Sequence, residues 1–124
     1  MSQELSALSF ETSFTPEKQF AKTTFEVAVT ESIDAILSLL GNINKQAIYR
    51  YLENRYGIKK EEIPNNIAEF AEAFEQTFGS VAKLIEIKII ERLHAKYENF
   101  SYVPADGEID FLEFISNFQM YMEG

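Results

Sequence analysis

A chain of 124 residues with a net charge of −9, no cysteine and 46% hydrophobic residues has the size of one domain with a workable core. The absence of cysteine excludes disulfides, thiolate metal sites and cysteine nucleophiles, and the acid excess starts the chain at a disadvantage on nucleic acid. No apolar run approaches the roughly 20 residues of a bilayer span, and Met1-Ser2-Gln3-Glu4-Leu5 has neither the basic region nor the apolar run of a secretory leader, so a soluble cytoplasmic protein is expected, with no membrane contact.

Along the chain, residues 1–14 carry Leu5, Leu8, Phe10 and Phe14 without helical period, which reads as an N-terminal arm, frayed or in a short strand. A single helical domain over 15–124 follows. Thr15-Pro16-Glu17 has the pattern of a helix start, a hydroxyl cap followed by proline at the first helical position. The apolar positions Phe25, Ala28, Val29, Ile33, Ile36, Leu37 and Leu40 then hold one helix face. Thr23, Thr24, Val27 and Thr30 are β-branched and weaken the middle of this helix, so a break is expected near residue 30. Gly41 is the stop.

Asn44 is the expected cap of a second helix, with Ala47, Ile48, Tyr51, Leu52 and Tyr56 on one side and Gly57 ending it in the left-handed conformation. Ile58 to Pro64 reads as a connector, because proline disfavours helix in the residue before it. A third helix follows, turning Ile67, Phe70, Ala71, Phe74 and Phe78 inward and Glu69, Glu72 and Glu75 outward. Gly79 closes it, and Ser80 is the expected cap of a fourth, over 81–97. There Val81, Leu84, Ile85, Ile87, Ile89, Ile90 and Leu93 cover most of the circumference, the mark of a central helix. The piece 100–103, Phe-Ser-Tyr-Val, alternates and fits a loop or a short strand. A last helix starts at Asp110, with Asp110 and Glu113 as an acidic capping box and Phe111, Phe114, Ile115, Phe118 and Met122 as its inner stripe. The expected fold class is all-α, a compact bundle of about five helices around the apolar helix 81–97.

Three constellations bear on function. Asp106-Gly107-Glu108-Ile109-Asp110 through Glu113 matches the second half of a calcium-binding EF-hand loop, but the first and third ligand positions would be Tyr102 and Pro104, which removes half the oxygen shell. The segment 102–113 is thus a degenerate calcium-sensor motif whose plainer reading is a turn and a helix cap. Residues 44–60 hold Lys45, Arg50, Arg55, Lys59 and Lys60 against Glu53 alone. With the helix that follows, 44–78 has the size of a helix-turn-helix, yet Glu69, Glu72 and Glu75 give its reading helix the wrong sign for phosphate. The same cations beside tyrosines make interface material, since tyrosine and arginine dominate protein–protein hot spots. The interaction surface expected from this is Tyr49, Arg50, Arg55, Tyr56, Lys59 and Lys60.

Catalytic chemistry has little to stand on. His94 is the sole histidine and fits a packed boundary position better than a general base, which would need an oriented nucleophile. Glu91 precedes it by three, but no twin motif completes a di-metal carboxylate site. The carboxylates decorate polar faces, with no two singled out by apolar surroundings in a way that suggests acid–base work, and no glycine-rich phosphate loop is present. No catalytic residue, metal ligand or cofactor is expected.

Finally, Ala47-Ile48-Tyr49-Arg50-Tyr51-Leu52-Glu53, Tyr56-Gly57-Ile58, Glu61-Glu62-Ile63-Pro64, Phe70-Ala71-Glu72-Ala73-Phe74, Phe78-Gly79 and Ala82-Lys83-Leu84-Ile85-Glu86 resemble a short archaeal helical domain, the Nitrosopumilus-type output domain. The resemblance spans about residues 25–97 and rests on helix punctuation and apolar spacing. It implies an archaeal, cytoplasmic, non-enzymatic protein of signal transduction and brings no catalytic or ligand-binding residues with it. Residues and resemblance together lead to a non-catalytic protein-interaction or signalling-output module, with a protein partner and a homodimer as corollary. The alternatives are a DNA-binding regulator through 44–78 and a calcium sensor through 102–113.

Overall fold

A computed structural model describes residues 22–124. The N-terminal arm 1–14 and the helix start at Thr15-Pro16-Glu17 lie outside the described residues. Within them the chain is helical in five α-helices and one 3-10 segment: α1 Thr24–Ser38, α2 Asn42–Tyr56, the 3-10 turn Lys60–Asn65, α3 Ile67–Phe78, α4 Ser80–Lys96 and α5 Phe111–Glu123. No strand occurs among the described residues. None of these helices is long and apolar enough to cross a membrane.

The helix α1 begins at Thr24, because Thr23 is extended (φ −71°, ψ 162°) and caps it. The Glu26 N–H donates to Thr23 Oγ1 at 3.0 Å and the Thr23 N–H donates to Glu26 Oε1 at 2.9 Å, a complete capping box. Thr23→Ala is expected to cost about 1 kcal/mol, measurable as a lower urea midpoint with unchanged slope. No break occurs near residue 30. The run Phe25, Ala28, Val29, Ile33 and Leu37 is buried, and burial of that face outweighs the weak helix propensity of the β-branched residues. Three tightened backbone bonds, from Leu39, Leu40 and Gly41 back to Ile36, Leu37 and Ser38, close the helix.

Gly41 then starts α2 instead of merely ending α1. Its φ of 99° lies where only glycine sits without strain, and Asn44, expected as the cap, lies one turn inside, donating through Nδ2 to the Leu40 carbonyl at 2.6 Å. Gly57 adopts φ 71° and, with Ile58, donates to the Glu53 and Leu52 carbonyls, the glycine-closed end the sequence leads one to expect. Gly79 joins α3 directly to α4. Ser80 is accordingly the first residue of α4 and not its cap, and no side chain caps that end.

The helix α4 packs against α1, α3 and α5, while α1 meets α2, the 3-10 turn, α4 and α5. These two form the centre of the bundle. Ala82, Ile85, Ile89, Ile90 and Leu93 of α4 are buried, whereas Val81 and Leu84 face outward. The residues 100–103 form no strand. Phe100 is driven into a ring cluster with Phe114 and Phe118 at centroid distances of 5.4 and 5.5 Å, and Tyr102 packs edge-on against Phe114. The alternation that imitates a strand is thus two aromatics turned onto α5, with Ser101 and Val103 in solvent. His94 belongs to the same cluster, 5.1 Å from the Phe114 ring, as a packed boundary histidine.

At the start of α5, Asp110 Oδ1 accepts the Glu113 N–H at 3.2 Å. The reciprocal half of the box runs through a third residue. The Asp110 N–H donates to the Tyr102 hydroxyl, and that hydroxyl donates to Glu113 Oε1 at 2.7 Å. Partial burial, and then the bond to Glu113, raise the Tyr102 pKa above its ordinary value. Tyr102, Asp110 and Glu113 are thus bound to one another as a helix cap. Asp106 likewise accepts the Glu108 N–H at 3.1 Å.

Candidate functional site

The helix α2 buries only Tyr49 and Leu52 among its 15 residues, so most of its surface is free for a partner. Its inward phase differs from the expected one. Tyr49, expected on the interaction surface, is 8% exposed, and Tyr51, expected on the apolar side of the helix, is 43% exposed. The cause lies on α1. Asp34 offers Oδ1 to the Tyr49 hydroxyl at 3.1 Å, and a buried phenol requires such a partner.

Two lysines meet the same carboxylate. Lys45 Nζ lies 3.1 Å from Asp34 Oδ2 and also donates to Ser38 Oγ at 3.0 Å; Lys60 Nζ lies 3.1 Å from Oδ1. Lys60 also sits over the Tyr49 ring, 5.1 Å from its centroid, a cation–π contact. Partial burial would raise the Asp34 pKa, but the bonds from Lys60, Lys45 and Tyr49 outweigh it and hold the carboxyl below its ordinary range. For Tyr49, burial first and the Asp34 charge second push the hydroxyl far up. A carboxyl with a lowered pKa contributes stability above its unfolded-state value, and this is lost as pH falls through the folded-state value. Asp34→Asn is therefore expected to cost about 1–3 kcal/mol at neutral pH, with the difference from the parent shrinking below about pH 4. Parallel thermal melts across pH 3–7 would show it.

Lys60 and Tyr49 are thus structural and leave the expected surface. Arg50, Arg55 and Lys59 are exposed and make no ion pair among the described residues. Arg50 and Lys59 line a recess of about 470 Å³ whose other walls include Gln46, Glu53 and Glu61. Arg55 belongs to a different part of the face. Its guanidinium lies 5.8 Å over the Tyr56 ring, which meets Tyr51 edge-on at 6.1 Å. Tyr56 is half-buried, its hydroxyl 3.4 Å from Gln76 Oε1 on α3. The six expected residues therefore divide into two exposed cation groups separated by the helix, plus a structural pair.

Between them lies an apolar feature that the sequence reading missed. Ile43, Ala47 and Tyr51 follow one another every four residues on the outside of α2, with Ile43 84% exposed. Beside them a groove of about 350 Å³ is lined by Leu40, Ala47, Ile48, Tyr51 and Phe78, with Asn44 and Thr77 at its edges. The four-residue spacing was visible in the sequence, but Ala47 and Tyr51 were counted toward the core, which hid the stripe.

The helix-turn-helix comparison places α3 as the reading helix. Its Glu69, Glu72 and Glu75 are all exposed, as expected. For the calcium motif, no three acidic or histidine side chains among the described residues converge as a metal-ligand set. Comparison with protein-family models, with curated proteins and with solved structures found no match.

Proposed function

We propose that this protein is a non-catalytic interaction module that docks a protein partner on the outer face of α2. The observation that carries this reading is the exposed Ile43–Ala47–Tyr51 stripe, bordered by a groove and flanked by the exposed cations Arg50, Arg55 and Lys59. Apolar contact with a charged border, holding tyrosine and arginine, is the anatomy of a protein-binding hot spot. The charge fixes the partner's character as an amphipathic segment with acidic flanks. The likeness to the archaeal output domain supports a place in cytoplasmic signalling, with this face as the output contact.

Light scattering separates the two partner classes. If the purified protein is a dimer that Ile43→Glu dissolves, the partner is a second copy. If it is a monomer, the partner is a different protein, and capture from native lysate is expected to recover it with the parent and lose it with Arg50→Glu/Tyr51→Ala. Recovery of the same proteins by both forms would overturn the reading. The DNA-binding alternative has the acidic exterior of α3 against it. It requires retention on heparin at low salt that neutralising Arg50, Arg55, Lys59 and Lys60 abolishes.

A further inference from the structure

One carboxylate of α4 is withdrawn from solvent among other acids. Glu86, on α4, is 1% exposed; among the described residues neither of its carboxylate oxygens meets a hydrogen-bond donor, and the Glu75 carboxyl lies within hydrogen-bonding reach. A buried charge without a counter-charge is strongly unfavourable, so such a group calls for a cation or a proton. Glu86 forms part of the wall of a recess of about 340 Å³, together with Glu75 of α3 and Asp106, Glu108 and Asp110 of the turn before α5. The volume lies at the small end of ligand pockets. Its rim carries the exposed apolar side chains Ile109 and Leu112.

We propose that this recess binds an alkylguanidinium group, received by Glu86 and Glu75, with the alkyl stem lying along Ile109 and Leu112. The chemistry selects this class. The acidic walls demand a cation, and no three of the carboxylates converge as metal ligands. An apolar rim suits a methylene stem. Guanidinium is weakly hydrated and forks onto carboxylates in two bonds, which makes it the cation best matched to a buried acid. With the recess empty, burial first and then the nearby Glu75 carboxyl push the Glu86 pKa up to about 7, Asp110 adding to this and Lys83 opposing it. An arriving guanidinium therefore displaces a proton near neutral pH. This site is independent of the α2 face.

Calorimetry with agmatine and with an arginine flanked by blocking groups tests it, the first standing for a free metabolite and the second for an arginine of a peptide. Saturable one-to-one binding of either is expected, with proton release seen as a dependence of heat on buffer at pH 6.5; the tighter of the two identifies the source. Glu86→Gln, which keeps the shape, should weaken binding by about tenfold or more. Glu75→Gln, on the exposed side, should weaken it less while leaving the fold untouched. No saturation below about 10 mM for both probes, or undiminished binding by folded Glu86→Gln and Glu75→Gln proteins, would overturn the proposal. Displacement of agmatine by calcium at lower concentration than agmatine itself requires would overturn it as well, since the site would then be a metal site.

Discussion

Phe114→Ala is expected to lower stability by about 3–5 kcal/mol, enough to leave a domain of this size near its unfolding threshold. The ring is wholly buried and makes edge contacts with His94, Phe100 and Tyr102, at 5.1, 5.4 and 5.3 Å, and a stacked one with Phe118. Its loss opens a cavity and also frees the segment 97–110, which is fixed to the bundle by Phe100 and Tyr102 and by no backbone ladder. The melting temperature should fall by on the order of 10–20 °C. An exposed side chain outside the cluster, such as Leu39, should by contrast tolerate alanine with a change of under about 1 kcal/mol. Equal effects at the two positions would show that the cluster does not hold the loop.

The second large effect belongs to Glu86. A carboxyl whose folded-state pKa is raised contributes stability that is complete below its unfolded-state value of 4.5 and is lost as pH rises through about 7. Above neutrality the chain carries an unpartnered buried charge. At about 1.4 kcal/mol per pKa unit, the loss between those limits reaches about 3–4 kcal/mol, shared with Glu75. Glu86→Gln removes the titration, so the variant should be more stable than the parent at pH 8 and equal to it at pH 4.5. Asp34, Glu31 and Glu26 slope the other way, since Lys60 and Lys45, Arg92 and Asn65 respectively help hold their carboxyls low. Stability should therefore peak in mildly acid solution. Denaturation midpoints of parent and variant across pH 4–8 would display the crossing; parallel curves would place Glu86 in contact with solvent or a permanent cation.

Much of the fold was legible because its signals were redundant. The stripe Phe70-Ala71-Phe74-Phe78 fixes α3 by periodicity and by its closing Gly79 together. Asp110 and the Phe111–Phe118 stripe do the same for α5. Errors arose where two signals competed. Thr23 and Glu26 spell a capping box, yet the β-branched residues around them suggest weakness instead of a beginning. Helix α2 was rotated because one of its two buried residues is a phenol, whose need for a polar partner apolar counting does not weigh, and its register follows Asp34, 15 residues before Tyr49. Glu86 escaped for the converse reason. A lone glutamate between Ile85 and Ile87 looks like a solvent-side interruption, and only the packing of α3 and the 106–112 turn over α4 buries it. The cations at Arg50, Arg55 and Lys59 were readable from charge alone, but their separation around the helix required the backbone.

Site-specific photo-crosslinking puts the outer face of α2 to the most direct test. With benzoylphenylalanine in place of Tyr51, irradiation in native lysate should give one discrete adduct, with either a second copy of the chain or another protein. The same probe in place of Lys88, exposed on α4, should give none. Adducts of equal yield at both positions, or at position 88 alone, would contradict the assignment of α2 as the docking surface.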